Sequence, residues 1–240
     1  MIHIQQLTKK FGSFTALDTI TTSVPAGEIT AIIGPNASGK TTLLKSIVGL
    51  IPSFSGSILV SGTDISGKSE YRAKIGYMPQ FPGFPENLTV GAVVQMVKDL
   101  RSDTNTYNEE LFERFQLSKE TGKKIKTLSG GTRQKLSAYI TFLFQPELVI
   151  LDEPTASLDP VASTILKEVI LKQKASGTTM VMTSHNIHEL EEIASNLIFL
   201  LDGKLKYTGT VDGLKEVTGE ESLERAIAFL IQQNGGNHAH

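Results

Sequence analysis

Residues 34–42 read Gly-Pro-Asn-Ala-Ser-Gly-Lys-Thr-Thr and stand between an apolar run and a helix-like segment. The preceding run, residues 28–33, is short, apolar and β-branched, which favours a buried strand. The following run, residues 40–50, places leucine, isoleucine and valine at helical spacing. A strand, a glycine-bounded loop and a helix form the setting that a G-x-x-x-x-G-K-[ST] match requires. The segment therefore predicts a phosphate-binding loop, and the alternative, an ordinary strand-turn-helix with a chance lysine, is disfavoured.

The chemistry of this loop follows from its residue types. Gly34 and Gly39 let the backbone turn and approach a ligand closely. The amides between them, with the positive end of the helix dipole, form a concavity that suits a chain of phosphates. Lys40 is expected to reach the terminal phosphates, and the Thr41 hydroxyl to hold Mg²⁺. The predicted contact set is Gly34, Pro35, Asn36, Ala37, Ser38, Gly39, Lys40, Thr41 and Thr42.

Composition limits the class of protein. The chain has 240 residues, of which 40% are hydrophobic and 20% charged, enough for one large α/β domain or two small ones. The net charge of −2 argues against a protein that coats nucleic acid. The absence of cysteine excludes disulfides, thiolate metal sites and cysteine nucleophiles. We see no signal-peptide pattern and no apolar run of about 20 residues, so a partner is expected to supply any membrane-spanning part.

A second group of candidates follows apolar runs further along the chain. Residues 147–151 predict a strand buried on both faces that ends in Asp152 and Glu153. Carboxylates at this end of a strand lie where open α/β sheets bind ligands, so Asp152 is predicted to order a magnesium shell and Glu153 to act as general base. His185 follows the run 178–183 at the same predicted sheet edge. For His185, a structural role and a contact to the terminal phosphate both remain open.

Two further sites have two interpretations each. Ser129, Gly130 and Gly131 open a predicted helix, and they are either a second phosphate site or an ordinary N-cap. Phe11 lies in a predicted hairpin, where it is either a platform for a base or a core aromatic.

The order of these runs predicts the organisation of the chain. Strand-like runs before residue 28 indicate an antiparallel sheet beside the nucleotide core. Residues 85–145 carry helical periodicity and are interpreted as a helical subdomain. We expect a first part of the core at 1–84, a second part at 146–219, and a C-terminal helix over residues 220–231 followed by a flexible tail to 240.

Taken together, these stretches resemble the ATP-binding cassette (ABC) ATPase family from Ile2 to about Ile231. The resemblance rests on motifs in the family's order, namely Phe11, the loop 34–41, Gln80, the signature 128–134, the strand 148–153, the crossing loop 157–159 and His185. It implies an α/β phosphate-loop NTPase fold of ABC type, with a mixed central sheet, an antiparallel β subdomain and a helical subdomain.

The resemblance also implies roles. Phe11 stacks on adenine, Gln80 senses Mg²⁺ and the attacking water, Glu153 is the catalytic glutamate, and His185 is the switch histidine. ATP and Mg²⁺ are the expected cofactors, with Thr41, Gln80 and Asp152 around the metal. In the family, two cassettes pair head to tail. The signature of one chain then closes over the ATP held by the other chain, through Ser129, Gly130 and Gly131. Asp159 lies in the loop that crosses between the two subunits.

The resemblance further implies a membrane partner. Residues 80–100 match the groove that grips a permease subunit, and the expected place of the protein is cytoplasmic, peripheral on the inner face of the cell membrane. The C-terminal stretch resembles exporters of the ABC-2 type, and residues 129–135 resemble the ATPase of the nitrous oxide reductase maturation and copper system. A soluble assembly ATPase without a membrane partner is the alternative. Ala37 and Thr132 depart from common family residues, and Phe11 replaces a common tyrosine, but no reacting group is lost.

Overall fold

The computed structural model describes residues 1–52, 54–101 and 106–235. The expectation of a flexible tail concerns residues that lie mostly outside this range. Within it, the strands are β1 (Ile2–Phe11), β2 (Phe14–Val24), β3 (Ile29–Ile33), β4 (Ser55–Val60), β5 (Thr63–Asp64), β6 (Ile75–Met78), β7 (Leu148–Asp152), β8 (Thr179–Thr183), β9 (Asn196–Leu201) and β10 (Lys204–Thr210).

The α-helices in the same ranges are α1 (Lys40–Val48), α2 (Val90–Asp99), α3 (Glu110–Arg114), α4 (Gly130–Phe142), α5 (Pro160–Ala175), α6 (Ile187–Ile193), α7 (Val211–Thr218) and α8 (Leu223–Gly235). Short 3₁₀ segments cover Glu70–Lys74, Leu117–Glu120 and Ile125–Thr127. None of the helices in the described part of the chain is long and apolar enough to cross a membrane.

The strands form two sheets among the described residues. One is antiparallel with the order β2-β1-β4-β5, and the other is mixed with the order β10-β9-β3-β8-β7-β6. In the second sheet β3, β6, β7, β8 and β9 run parallel, and β10 pairs antiparallel with β9. The expected fold class, a mixed α/β sheet with an antiparallel β subdomain, is confirmed.

The central strand β3 contributes to two hydrophobic clusters because successive side chains of a strand point to opposite faces. Ile29, Ala31 and Ile33 pack with the larger cluster, which includes helices α4 to α8. Ile32 packs with the smaller cluster, between α1 and the antiparallel sheet. Because both faces are covered, every residue of β3 is buried, as the apolar run in the sequence predicted.

Several element bounds differ from the expectations. The predicted helix over 220–231 begins only at Leu223. Helix α7 ends at Thr218, its C-cap Gly219 is left-handed, and residues 219–222 connect it to α8. Residues 63–64 form the short strand β5, which pairs with β4. Helix α5 was not anticipated, although Asp159 caps it and Pro160 begins it, a common helix start.

Parallel pairing brings the carboxyl ends of β3, β7 and β8 to one edge of the sheet. The loops after these strands carry the phosphate loop, Asp152 with Glu153, and His185, respectively. Most of the candidate residues therefore meet at one sheet edge, where ligands of open α/β folds bind.

Candidate functional site

The phosphate loop begins at Gly34, where a side chain has no room. Its φ is 155°, and a Cβ built on Gly34 would lie 2.1 Å from the Leu200 carbonyl oxygen. Gly39 has a φ of 104°, and its Cβ would lie 2.7 Å from the Ala16 carbonyl oxygen. Both glycines are required because the loop passes directly against β9 and β2.

Ala37 departs from the usual glycine of the resembled family and adopts a left-handed conformation, with a φ of 62°. For an L-residue this conformation costs about 1–2 kcal/mol. Ala37 is exposed at the outer side of the loop, so its methyl group meets no core contact. The loop therefore retains the shape that a glycine would give it, at a local energetic cost.

Lys40 turns back over the loop that precedes it. Its Nζ donates to the carbonyl oxygens of Gly34 at 2.8 Å and Pro35 at 2.9 Å. Burial lowers the pKa of the Lys40 ammonium below its ordinary value, and the carboxylates of Glu153 and Asp152 partly offset this effect. The Lys40 ammonium, which donates to these two carbonyl oxygens, is well placed to donate to phosphate oxygens instead.

Asp152 connects the phosphate loop to the end of β7. The side chain is 2% exposed, and Oδ1 accepts from Thr183 Oγ1 at 2.7 Å and from Thr41 Oγ1 at 3.4 Å. Mg²⁺ in nucleotide sites usually takes one or two protein oxygen ligands and completes its shell with water and phosphate oxygens. The adjacent hydroxyl of Thr41 and carboxylate of Asp152 fit this ion.

Glu153 has a left-handed backbone with a φ of 51°. Its N–H donates to Thr183 Oγ1 at 3.0 Å, and its Oε1 lies 2.8 Å from His185 Nε2. The carboxylate is largely buried, whereas the His185 side chain is 58% exposed. Non-glycine residues in such backbone conformations concentrate at functional sites, where the surrounding contacts maintain the strain.

An open cleft of about 440 Å³ collects most of the candidates. Its lining combines the hairpin tip between β1 and β2, the outer phosphate loop, and the ends of β6, β7 and β8. The lining residues are Phe11, Phe14, Ala16, Asn36, Ala37, Ser38, Gly39, Lys40, Thr41, Thr42, Gln80, Glu153 and His185. Gly34 and Pro35 lie behind Lys40, and Asp152 lies beneath Thr41.

Phe11 is a cleft residue and not a core aromatic of its hairpin. Its ring is 50% exposed, and Phe14, its partner across the hairpin, is 58% exposed. Lys9 Nζ lies 4.9 Å from the Phe11 ring centroid, a cation–π distance. An exposed ring at the cleft is suited to stack on a planar base.

The predicted second phosphate site lies elsewhere. Ser129 caps α4 by accepting from the Thr132 N–H at 3.1 Å, and neither Ser129, Gly130 nor Gly131 lines the cleft. Asp159 caps α5 and pairs with Lys135 of α4 at 2.7 Å, so it too lies away from the cleft. The structure thus brings the phosphate-loop, Glu153 and His185 candidates together in the cleft. The other four candidates, Ser129, Gly130, Gly131 and Asp159, lie on a separate surface.

Sequence reasoning missed two buried residues of the site. Thr183 contacts both acidic residues, donating to Asp152 and accepting from the Glu153 N–H. Glu189 accepts from hydroxyls on two different turns. A hydroxyl that ends an apolar strand two residues before His185 was the available signal for Thr183. For Glu189, Ser184 is five residues away, but Thr155, the partner that joins it to the turn of Glu153, is 34 residues away and gives no local signal.

Comparisons with known proteins identify relatives of this chain. The family model described as ABC transporter matches residues 17–156. The lantibiotic transport ATP-binding protein SrtF of Streptococcus pyogenes is 33% identical over 229 residues, covering 95% of this chain and 98% of that protein. The uncharacterized ABC transporter ATP-binding protein YhaQ of Bacillus subtilis is 32% identical, covering 98% of this chain and 81% of that protein.

Solved structures show the same fold. A structure described as the ATP-binding subunit of an ABC transporter has a TM-score of 0.89 at 28% identity, covering 96% of this chain and 99% of that one. The dimeric post-hydrolysis structure of the ATP-binding cassette MJ0796 with ADP and Pi has a TM-score of 0.78 at 23% identity, covering 88% of this chain and 98% of that one.

Proposed function

The chain belongs to the ABC transporter family, and on this premise we propose that it dimerises around ATP and drives a separate membrane-embedded transport subunit. The chain is an ATP-binding cassette ATPase. We propose three further features: that the chain forms a dimer, that it has a membrane partner, and that individual residues have the roles given below.

The geometry of the cleft supports the proposed residue roles. Lys40 and the loop amides bind the terminal phosphates, and Phe11 stacks on the base. Thr41, Asp152 and Gln80 would hold Mg²⁺, which when bound neutralises charge on the phosphate oxygens. Glu153 accepts a proton from the attacking water, and His185 orients the Glu153 carboxylate and faces the terminal phosphate.

One observation carries the proposed dimer. Ser129 and Gly130 are exposed at the start of α4 and do not line the cleft of their own chain. A helix start with free amides binds phosphate, and in a head-to-tail dimer it would face the partner's ATP. The related cassette MJ0796 was solved as a dimer with ADP and Pi, which supports the proposal.

The proposed membrane contact is the surface of residues 80–100. Phe81 is 81% exposed, Leu100 is 78% exposed, and Met96 on α2 between them is 37% exposed. Large exposed apolar side chains often mark protein contacts. We assign the helical subdomain to residues 85–145, the core to 1–84 and 146–219, and the remaining segment to 220–240. The protein is then peripheral on the cytoplasmic side of the membrane.

The names of the relatives suggest several classes of transported substrate. SrtF is named for lantibiotic transport, and a mouse relative that is 32% identical over 85% of this chain is named a phospholipid-transporting ATPase. This chain spans only 12% of that mouse protein. The likeness of residues 129–135 to the nitrous oxide reductase maturation ATPase makes copper-site assembly a candidate as well. Identification of the membrane partner decides among these classes.

The first experiment tests the dimer. Glu153→Gln protein with ATP is expected to elute as a dimer in size-exclusion chromatography with light scattering, because blocked hydrolysis leaves ATP between the chains. Adding Ser129→Arg in the same background should give a monomer that still binds ATP. A dimer that is unaffected by Ser129→Arg would contradict head-to-tail pairing.

The second experiment tests the membrane partner. Tagged Glu153→Gln protein is purified with ATP from solubilised membranes of the source cells, and stoichiometric proteins are identified by mass spectrometry. A polytopic membrane protein supports the proposal, and its recovery should fall with Phe81→Asp. Recovery of soluble proteins alone, or of the homodimer alone, would favour the soluble assembly ATPase.

A further inference from the structure

We infer that Glu189 is a positioning residue for ATP hydrolysis, which holds the turn carrying Glu153 in register with the turn carrying His185. The inference rests on the roles proposed above for Glu153 and His185. It assigns a function to a buried carboxylate that those roles do not use.

Glu189 bridges two turns that are distant in sequence. It lies on α6 and is 8% exposed. Its Oε2 accepts from Thr155 Oγ1 at 3.2 Å and from Ser184 Oγ at 3.3 Å. Thr155 follows Glu153 by two residues, and Ser184 immediately precedes His185. One carboxylate oxygen therefore links a side chain two residues after Glu153 to the side chain that immediately precedes His185.

A second set of bonds fixes the turn around His185 itself. Ser184 Oγ accepts from the Asn186 N–H at 3.0 Å, and Asn186 Oδ1 accepts from the Glu189 N–H at 3.2 Å. Ser184, Asn186 and Glu189 thus close a ring of hydrogen bonds on the two sides of His185. The ring sets the direction in which the exposed imidazole leaves the backbone.

The partners of Glu189 are unusual for a buried carboxylate. Within the described ranges, no lysine, arginine or histidine nitrogen lies within 4.0 Å of its oxygens. Its neighbours on α6 do have cationic partners, since Glu191 pairs with Lys215 and Glu192 with Lys167. Burying a carboxylate without a counter-ion is costly, and an apolar residue would fill the space at lower cost. Stability alone therefore does not explain Glu189, whereas local geometry does.

The geometry that Glu189 supports is demanding. Glu153 holds a left-handed backbone, and its Oε1 must stay 2.8 Å from His185 Nε2. A displacement of about 1 Å at a reacting group can cost roughly 100-fold in rate. Because Glu189 does not line the cleft, its loss is expected to lower kcat and leave ATP affinity unchanged.

The test compares Glu189→Ala and Glu189→Gln with Glu192→Gln, a control on the same helix. Phosphate release gives kcat, and equilibrium titration gives the Kd for ATP. We expect Glu189→Ala to lower kcat roughly 10- to 100-fold with an ATP Kd within about twofold of the parent. Glu189→Gln keeps an acceptor oxygen and should recover most of the rate, and Glu192→Gln should match the parent. Parental turnover in Glu189→Ala, or an equal loss of ATP affinity, would overturn the inference.

A double-variant comparison separates positioning from folding. Thr155→Val with Ser184→Ala removes both donors and should reproduce the kcat of Glu189→Ala, and adding Glu189→Ala should change it little. If the losses in kcat from the Thr155→Val, Ser184→Ala pair and from Glu189→Ala multiply when combined, the hydrogen bonds between these residues do not act together and the inference fails. If Glu189→Ala does not fold, the Thr155→Val, Ser184→Ala variant alone tests the inference through its kcat and its Kd for ATP. Glu153→Gln and His185→Ala are measured alongside: full turnover in these two means that the proposed roles fail, whereas their inactivity beside an active Glu189→Ala means that only this inference fails.

Discussion

Glu153 Oε1 lies 2.8 Å from His185 Nε2, although the two residues follow different strands and are separated by 31 intervening residues. The parallel pairing of β7 and β8 brings them together, because the residue pair Asp152 and Thr183 closes that ladder.

Glu153→Gln should lower the rate of ATP hydrolysis roughly 10²- to 10⁴-fold, since it removes a general base. ATP binding should persist, because Lys40 and the loop amides remain. Phosphate release and equilibrium ATP binding measure the two effects. Glu192→Gln is the matched control, and its activity should equal that of the parent. Residual turnover above one tenth of the parental rate would contradict a general-base role for Glu153.

Thr183→Val should destabilise the protein and reduce turnover, because it removes a donor to buried Asp152 and an acceptor for the Glu153 N–H. The expected cost is about 1–3 kcal/mol in the free energy of unfolding. Thr30→Val on β3 is the control, since its buried hydroxyl lacks a hydrogen-bond partner among the described residues. Chemical denaturation should show Thr30→Val as neutral or stabilising. Equal losses for the two variants would refute the assignment.

Gly39→Ala should abolish ATP binding, because a Cβ would meet the Ala16 carbonyl oxygen at 2.7 Å and the backbone of the phosphate loop would have to shift. Gly62→Ala is the control. Gly62 also has a positive φ, at 77°, but a Cβ there meets nothing within 4 Å. Nucleotide titration should show normal affinity for Gly62→Ala, whose cost is limited to stability, at about 1 kcal/mol.

Phe11→Ala should weaken ATP binding roughly tenfold if the ring stacks on the base, since such contacts contribute about 1–3 kcal/mol. Phe11→Tyr should retain the affinity. Titrations with ATP and with the base-free analogue triphosphate supply the comparison. Phe11→Ala should not alter triphosphate binding, and an equal loss for both ligands would show that Phe11 acts through the loop.

We expect Glu191 to make the stability of the protein depend on pH. The hydrogen bond from Lys215 lowers the pKa of Glu191 below its ordinary value of 4.5, and the Leu223 N–H adds to this effect. A depressed carboxyl pKa stabilises the fold above about pH 4.5, and the contribution is lost as the pH falls through the folded-state pKa.

Glu191→Gln should therefore be less stable than the parent at neutral pH, and the difference should shrink below pH 4.5. Urea denaturation across this range provides the measurement. Exposed Glu221→Gln serves as the control and should run parallel to the parent. A difference that is independent of pH would show that the charge of Glu191 contributes nothing to docking α7 and α8.

The sequence predicted the parts of the site that are local. Three local patterns were readable: the glycine-bounded loop 34–42, the apolar strand that ends in Asp152, and the apolar run before His185. Each pattern involves only residues that are neighbours in the chain. Helix α5 also had a local signal in Asp159 and Pro160, and that signal was missed.

Which of these residues meet depends on how the strands pair and the helices pack. The tertiary structure exposes Phe11 at the cleft, separates Ser129 from Lys40's cleft, and brings Thr155 and Ser184 to Glu189. These contacts join residues that are up to 34 positions apart in the chain, and sheet pairing and helix packing determine them. A single sequence records the residue types that such contacts need, but not the pairing that forms them.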